Sequence, residues 1–375
     1  MSNRNTARLA ERGVSLYLDD ISRKRLESGN LTDLISTYNV TGVTTNPSIF
    51  SAALTETDDY EDRLRLMGGI GVTGPEAVRM LTVMDVRQAA DLLEPVYRST
   101  GGRDGWVSIE VDPRYARDTA RTVAEGRLLS WLVSRPNVMV KVPSTTEGLP
   151  AITELVARGI SVNATVIISL DRYREVIDAY LTGLERAVAA GTDPSQISSV
   201  ASFYISRLDR AVDELLEQAD SPEAERLRGQ TAIANARLAH QIYRETMDSP
   251  RWRILADRGA RPQRLLWAST AVKDDRFHKA RYVTALAIPG TINTMPAHTL
   301  DAVATHGGPL SRPADEHYAT SRDLVDKLAE FGISYEEIAR SLEQQGIDGF
   351  VADWEELHRR IGKVFQEYEN AAPAL

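Results

Sequence analysis

The chain has 375 residues, 42% of them hydrophobic and 26% charged, enough for one large globular domain or two medium ones. A net charge of −9 leaves no basic footprint for nucleic acid or an anionic membrane, and the lack of cysteine removes disulfides, thiolate metal sites and cysteine nucleophiles. The first 13 residues are too polar for a signal peptide, no apolar run approaches the ~20 residues of a membrane helix, and the six histidines form no H-E-x-x-H pattern, so the expectation is a cytoplasmic protein without a metal site.

In chain order, short β-rich runs predict strands at 14–19, 42–45, 106–111, 138–142, 160–166, 197–202, 265–268 and 291–294. Helical periodicity falls between them at 91–97, 116–132, 149–157, 173–189, 208–215, 224–243 and 279–286. Eight strands alternating with helices predict a single (β/α)8 barrel with extra helices. An open doubly wound sheet has the same alternation, but no G-x-G-x-x-G or Walker motif follows any strand. The Pro/Gly-rich patch at 307–313 then divides a barrel domain, 1–306, from a helical C-terminal extension, 307–375. In that extension Ser334-x-x-Glu337 is a capping box opening a helix expected to end near Gly346. A last helix carries Phe350, Trp354, Leu357, Ile361, Val364, Phe365 and Tyr368 at helical spacing. This stripe reads as packing against the outer helices of the barrel, with a homo-oligomer contact as the alternative.

The chemistry lies on the polar faces of the strands. Buried parallel strands are normally apolar on both faces, yet here Asp19, Glu110, Lys141, Asn163 and Thr165 fall where their strands run out. That is the end where barrels carry catalytic groups. Lys141 interrupts the apolar run 137–143; desolvation there is expected to lower its pKa and expose the lone pair a Schiff-base lysine needs. The plain alternatives are a lysine that snorkels outward or pairs with a carboxylate, an Asp19 that caps a helix, and a Glu110 that pairs with an arginine. Their coincidence around one lysine favours class I aldol chemistry: an amine condenses with a ketone, and a carboxylate takes a hydroxyl proton as a carbon–carbon bond breaks.

Leu16-Tyr17-Leu18-Asp19, Thr44-Thr45-Asn46-Pro47-Ser48, Glu110-Val111-Asp112, Lys141-Val142-Pro143-Ser144-Thr145, Asn163-Ala164-Thr165 and Ser202-Phe203-Tyr204-Ile205-Ser206-Arg207 together resemble the motifs of transaldolases, in the same order. The length and tail resemble the long actinobacterial members. The resemblance implies a cofactor-free barrel enzyme of the pentose phosphate pathway acting on small sugar phosphates. Lys141 would form the Schiff base and Asp19 would be the acid/base. Glu110 and Thr165 would hold a water, while Asn46 and Asn163 would hold substrate hydroxyls. Asn46 before Pro47 also reads as a helix cap. Arg207 with Ser202 fits a phosphate clamp, against the alternative of a surface arginine balanced by Asp209 and Asp213. Shorter members carry a second arginine after the seventh strand. Here Ser269 and Lys273 are assigned to phosphate in its stead. The rivals are a fructose 6-phosphate aldolase-type lyase, which would be expected to replace Glu110 with a neutral group, and a non-catalytic barrel that binds a sugar phosphate.

Overall fold

The apolar runs become eight parallel strands in the computed structural model, which describes residues 2–55, 58–219 and 221–371. They are β1 Ser15–Asp19, β2 Val40–Thr44, β3 Trp106–Glu110, β4 Val138–Pro143, β5 Val162–Ile167, β6 Ser199–Tyr204, β7 Arg264–Ala268 and β8 Ile292–Met295. Each pairs with its sequence neighbour and β8 returns to β1, closing the barrel. Closure removes every sheet edge, and the helices around it bury the outer faces of the strands. The expected (β/α)8 fold with a helical C-terminal extension is the observed one, and every expected strand is present within about two residues, the usual uncertainty of an element boundary.

Register does the positioning. Glu110 pairs with Lys141 across β3 and β4, Lys141 with Asn163 across β4 and β5, and Asp19 with Thr44 across β1 and β2. Partners in register point the same way, so three polar residues from three strands occupy one rung of the barrel. Between Ala164 and Ile167 the pairing of β5 with β6 slips, and Val166 takes φ +60°. A β-branched residue in that region is strained, a local cost that clusters at functional sites.

The helices depart further from expectation. The stretch expected at 91–97 is the end of a 26-residue helix, Gly74–Ser99. It opens where the Glu76 carboxylate accepts from the backbone N–H and the hydroxyl of Thr73. Its buried face includes Thr82 and Asp85, and Asp85 pairs with the buried Arg23. Polar groups on the core side hid its periodicity. The helix expected over 224–243 is two, Pro222–Leu227 and Thr231–Met247. They are broken at Gly229, whose φ of +68° suits glycine and whose N–H donates to Asp213.

The tail corrects two expectations. Its helix does not end near Gly346 but runs unbroken through Tyr335–Ala371. A Cβ at Gly346 would come within 2.9 Å of Val166 Cγ1, so the glycine permits close packing rather than a stop. That packing outweighs the ~1 kcal/mol helical cost of glycine. Nor does the helix sit only against the outside of the barrel: it crosses the C-terminal mouth, packing on Pro47–Thr55, Glu61–Gly69 and Gly74–Ser99 and touching β5. Phe350, Trp354, Leu357, Ile361 and Phe365 are buried there and Val364 is half-buried; the side chain of Tyr368 lies outside the described residues. Glu343 fastens the same helix to the loop after β5, accepting from Ile168 N and Ser169 N, both at 2.9 Å.

Leu357 is fully buried in this contact. Leu357→Ala is expected to cost about 2–5 kcal/mol, read as a lower denaturation midpoint together with faster proteolysis within the tail. A loss within experimental error would mean that the tail adds nothing to the core.

Candidate active site

Lys141 leaves β4 with its side chain only 4% exposed. Its Nζ donates to Thr45 O at 2.8 Å and lies 3.0 Å from Glu110 Oε2. The Phe350 ring centroid of the tail helix is 5.7 Å away, within cation–π range. The amine therefore neither snorkels nor stands neutral. Burial pulls the Lys141 ammonium down, but Glu110, Tyr204 and Asp19 outweigh it and hold the group above its ordinary value. The expectation of an amine freed by desolvation is corrected: pairing with carboxylates wins, and the proton must leave before the lone pair can act.

Two carboxyl groups, Glu110 and Asp19, stand beside the amine. Removal from water raises the Glu110 carboxyl, against the pull of Lys141. Its Oε1 is buried with no hydrogen-bond partner among the described residues. Asp19 is raised for the same reason, and the opposing pulls are the Lys141 charge and the Thr44 hydroxyl, which donates to Oδ1 at 2.7 Å. Burial thus pushes both acids toward neutrality beside a cation that draws them back.

A cavity of about 380 Å³ opens over these groups, in the range of small-molecule sites. Asp19, Asn46, Lys141, Thr165, Ser202, Arg207, Ser269 and Lys273 all line it. Glu110 and Asn163 do not, although both are buried on the same rung as Lys141. Asn163 is spent on its neighbours, accepting from Ser202 Oγ at 2.7 Å and donating to Ser108 Oγ at 3.0 Å. Asn46 caps the helix Pro47–Thr55 through Oδ1, which accepts from Ile49 N at 3.0 Å. That leaves its amide N–H groups for the cavity, so the cap does not preclude a substrate contact. Thr165 Oγ1 is 3.4 Å from Tyr204 OH.

Arg207 enters from the first turn of the helix Ser206–Gln218, its guanidinium 5.2 Å from the Tyr204 ring centroid. The alternative in which Asp209 and Asp213 neutralise it does not hold. Asp209 accepts from Ala232 N at 2.6 Å and Tyr282 OH at 2.8 Å, and Asp213 accepts from Gly229 N. Neither Arg207 nor Lys273 has an ion-pair partner among the described residues. Ser269, at φ +55°, bonds the start of that helix: its carbonyl accepts from Ser206 N at 3.0 Å and its Oγ lies 3.1 Å from Ser206 Oγ. No cluster of three metal-ligating side chains forms among the described residues.

Sequence reasoning missed Thr44, Tyr204, Thr294, His298 and Phe350, all on the cavity wall. Thr44 pairs in register with Asp19, and Tyr204 shares a strand face with Ser202, so period-2 reasoning could have found both. Phe350 carried no local signal, since it belongs to an apolar stripe that reads as core.

The family model described as transaldolase/fructose-6-phosphate aldolase matches residues 16–361. Among curated relatives, the transaldolase of Thermobifida fusca (strain YX) is 55% identical over 355 residues, covering 95% of this chain and 96% of that protein. Transaldolase 1 of Streptomyces coelicolor is 55% identical over 95% of this chain and 93% of its own length. The transaldolase of Frankia alni is 49% identical, with 96% of each chain covered.

Thr44 favours the charged form of Asp19, so Thr44→Val should raise the Asp19 pKa above its already elevated position. Carbon-13 NMR titration of labelled aspartate reads this directly. A wild-type Asp19 midpoint in the ordinary range near 3.9, or no rise in the variant, would refute the burial argument.

Proposed function

The chain belongs to the transaldolase/fructose-6-phosphate aldolase family, and we propose that it carries out the transaldolase reaction with Lys141 as the Schiff-base nucleophile. A dihydroxyacetone unit passes from sedoheptulose 7-phosphate to glyceraldehyde 3-phosphate, giving erythrose 4-phosphate and fructose 6-phosphate. The observation that carries the residue assignment is a single buried lysine beside two carboxyl groups, Glu110 and Asp19, whose pKa burial raises and the lysine charge opposes.

Lys141 gives up its proton and attacks the C2 carbonyl of the donor ketose, and loss of water leaves a protonated imine. Asp19 takes the C4 hydroxyl proton as the C3–C4 bond breaks. The electron pair moves toward the iminium nitrogen, and the aldehyde product departs. The enamine left on Lys141 attacks the acceptor aldehyde, Asp19 returns the proton to the new hydroxyl, and water releases the ketose. Glu110 accounts for proton traffic at the nitrogen: its unpartnered Oε1 can order the water lost and regained there, with Thr165 across the cavity. Asn46 binds substrate hydroxyls through its free amide, and Asn163 acts by orienting Ser202. Arg207, Ser269 and Lys273 form the phosphate end, and neither cation has an ion-pair partner among the described residues.

Glu110 also supports transfer over release as free dihydroxyacetone. The aldolase-type lyase would be expected to carry a neutral group at this position, whereas here a carboxyl group lies 3.0 Å from the lysine nitrogen. Small sugar phosphates are the partners in this reading. The cytoplasm fits a cysteine-free chain in which, among the described residues, no helix is long and apolar enough to cross a membrane.

Borohydride added with fructose 6-phosphate should reduce an imine on Lys141 and lock a three- or six-carbon adduct there, read by peptide mass mapping. An adduct on any other lysine, or none, would sink the assignment.

Arg207→Ala should weaken phosphorylated acceptors. One charge-assisted contact is worth about 1.5–3 kcal/mol, so kcat/KM for glyceraldehyde 3-phosphate should fall about 10- to 100-fold, while unphosphorylated glyceraldehyde is nearly indifferent. Equal losses with both acceptors would make Arg207 structural.

A further inference from the structure

A second cavity, of about 690 Å³, opens on the flank of the barrel. The helices Thr231–Met247, Arg281–Ala285 and Ala297–His306 form one side, and the segment after His306 with the helix Tyr318–Lys327 forms the other. It shares no lining residue with the cavity around Lys141. Its walls are bonded in place. Ser311 N donates to Thr284 O at 3.1 Å, Arg12 Nη2 donates to Ser311 O at 2.7 Å, and His240 Nδ1 lies 2.8 Å from Tyr318 OH.

The lining contains two arginines, three histidines and no Asp or Glu. Arg237 is half-buried on the Thr231–Met247 helix and makes no hydrogen bond or ion pair among the described residues. Loss of water alone holds its guanidinium below the ordinary value. Arg281 donates through Nη2 to Gly229 O and rests on the Phe277 ring at 4.3 Å, but its Nε is buried without a partner. The hydroxyls of Ser311 and Ser321 are likewise unpartnered, and Ser321 is only 3% exposed. Carboxylates act on the wall from outside its lining: Glu316 lies beside His317, where Arg312 sits 3.6 Å from it, and Asp209 acts on Arg281.

A guanidinium drawn out of water with no carboxylate is a cost to the fold that a bound anion would offset. Its planar fork suits phosphate oxygens, and serine hydroxyls and histidine N–H groups add donors. The space exceeds a bare phosphate and lies in the range of small-molecule sites, and Ile233, Ala285 and Leu324 give it an apolar wall. We propose that this cavity binds a small organic phosphate of nucleotide or sugar-phosphate size. Its phosphate sits on Arg237 and Arg281 and its carbon body against the Ile233–Leu324 wall.

The test is calorimetric titration of AMP, adenosine and ribose 5-phosphate into the full chain and into Arg237→Ala and Arg207→Ala. At least one of the two phosphates should saturate a site that survives Arg207→Ala and weakens about 10-fold or more in Arg237→Ala, with transfer turnover unchanged in the latter. AMP bound far more tightly than adenosine identifies a nucleotide, and ribose 5-phosphate bound in its place identifies a sugar phosphate. Arg237→Gln, which keeps the stem packing, carries the same expectation if the alanine variant does not fold. No saturable phosphate binding to the wild-type chain, binding unaltered in both Arg237 variants, or binding lost in Arg207→Ala would overturn the proposal.

Discussion

The Glu110–Lys141 pair is the constraint around which the rest is arranged. Two charges removed from water cost several kcal/mol each, and their attraction repays this only when geometry is good. Parallel register supplies the geometry: the residues are partners on adjacent strands, so their side chains leave the sheet together. A closed barrel cannot slip that register on one strand without turning its apolar residues into the wrong layer. The pair is therefore held by topology rather than by local flexibility. Removing either partner would strand the other charge, which is why a lysine survives in an otherwise apolar strand.

The tail helix completes the same design from above. It lays Phe350 over the lysine and covers part of the mouth with apolar surface, lowering the local dielectric and strengthening the charge interactions beneath. Its approach depends on Gly346, which admits the strained Val166 and lies beside Arg207, where a Cβ would be 3.3 Å from Nη1. One glycine thus links the phosphate end, the strained strand and the cover. Glu343 anchors the helix to the loop after β5, so the cover is tied to the strand that carries Asn163 and Thr165.

What the sequence disclosed follows from which physics is local. Strands buried on both faces read as apolar runs, and a polar residue at their ends stands out, so the barrel and Asp19, Glu110 and Lys141 were legible. Asn163 was legible as a polar residue, but its hydrogen bonds were not, because its partners Ser108 and Ser202 lie on other strands. The helix Gly74–Ser99 was mostly missed because Asp85 serves a buried pair with Arg23 from the core side. Gly346 was misread as a stop since its reason is a contact with Val166, distant in sequence. The protonation of Lys141 was misjudged for a related reason: desolvation is legible in one strand, whereas the opposing carboxylates need three strands in register.

The distribution of charge across the cavity divides its labour. Next to Lys141 the Glu110 carboxyl is close and dry, so a proton leaving the amine would have a buried acceptor beside it. At the Arg207 end two acidic residues of the same helix are bonded elsewhere, Asp209 to Ala232 and Tyr282 and Asp213 to Gly229. Had those carboxylates faced inward, they would have neutralised Arg207 and repelled a phosphate. Their removal leaves positive charge at one end of a cavity whose other end holds the acid and base. In the proposed reaction a substrate with a phosphate at one terminus and a carbonyl near the other would have a single favourable orientation, bringing its C2 toward the lysine before any bond is made.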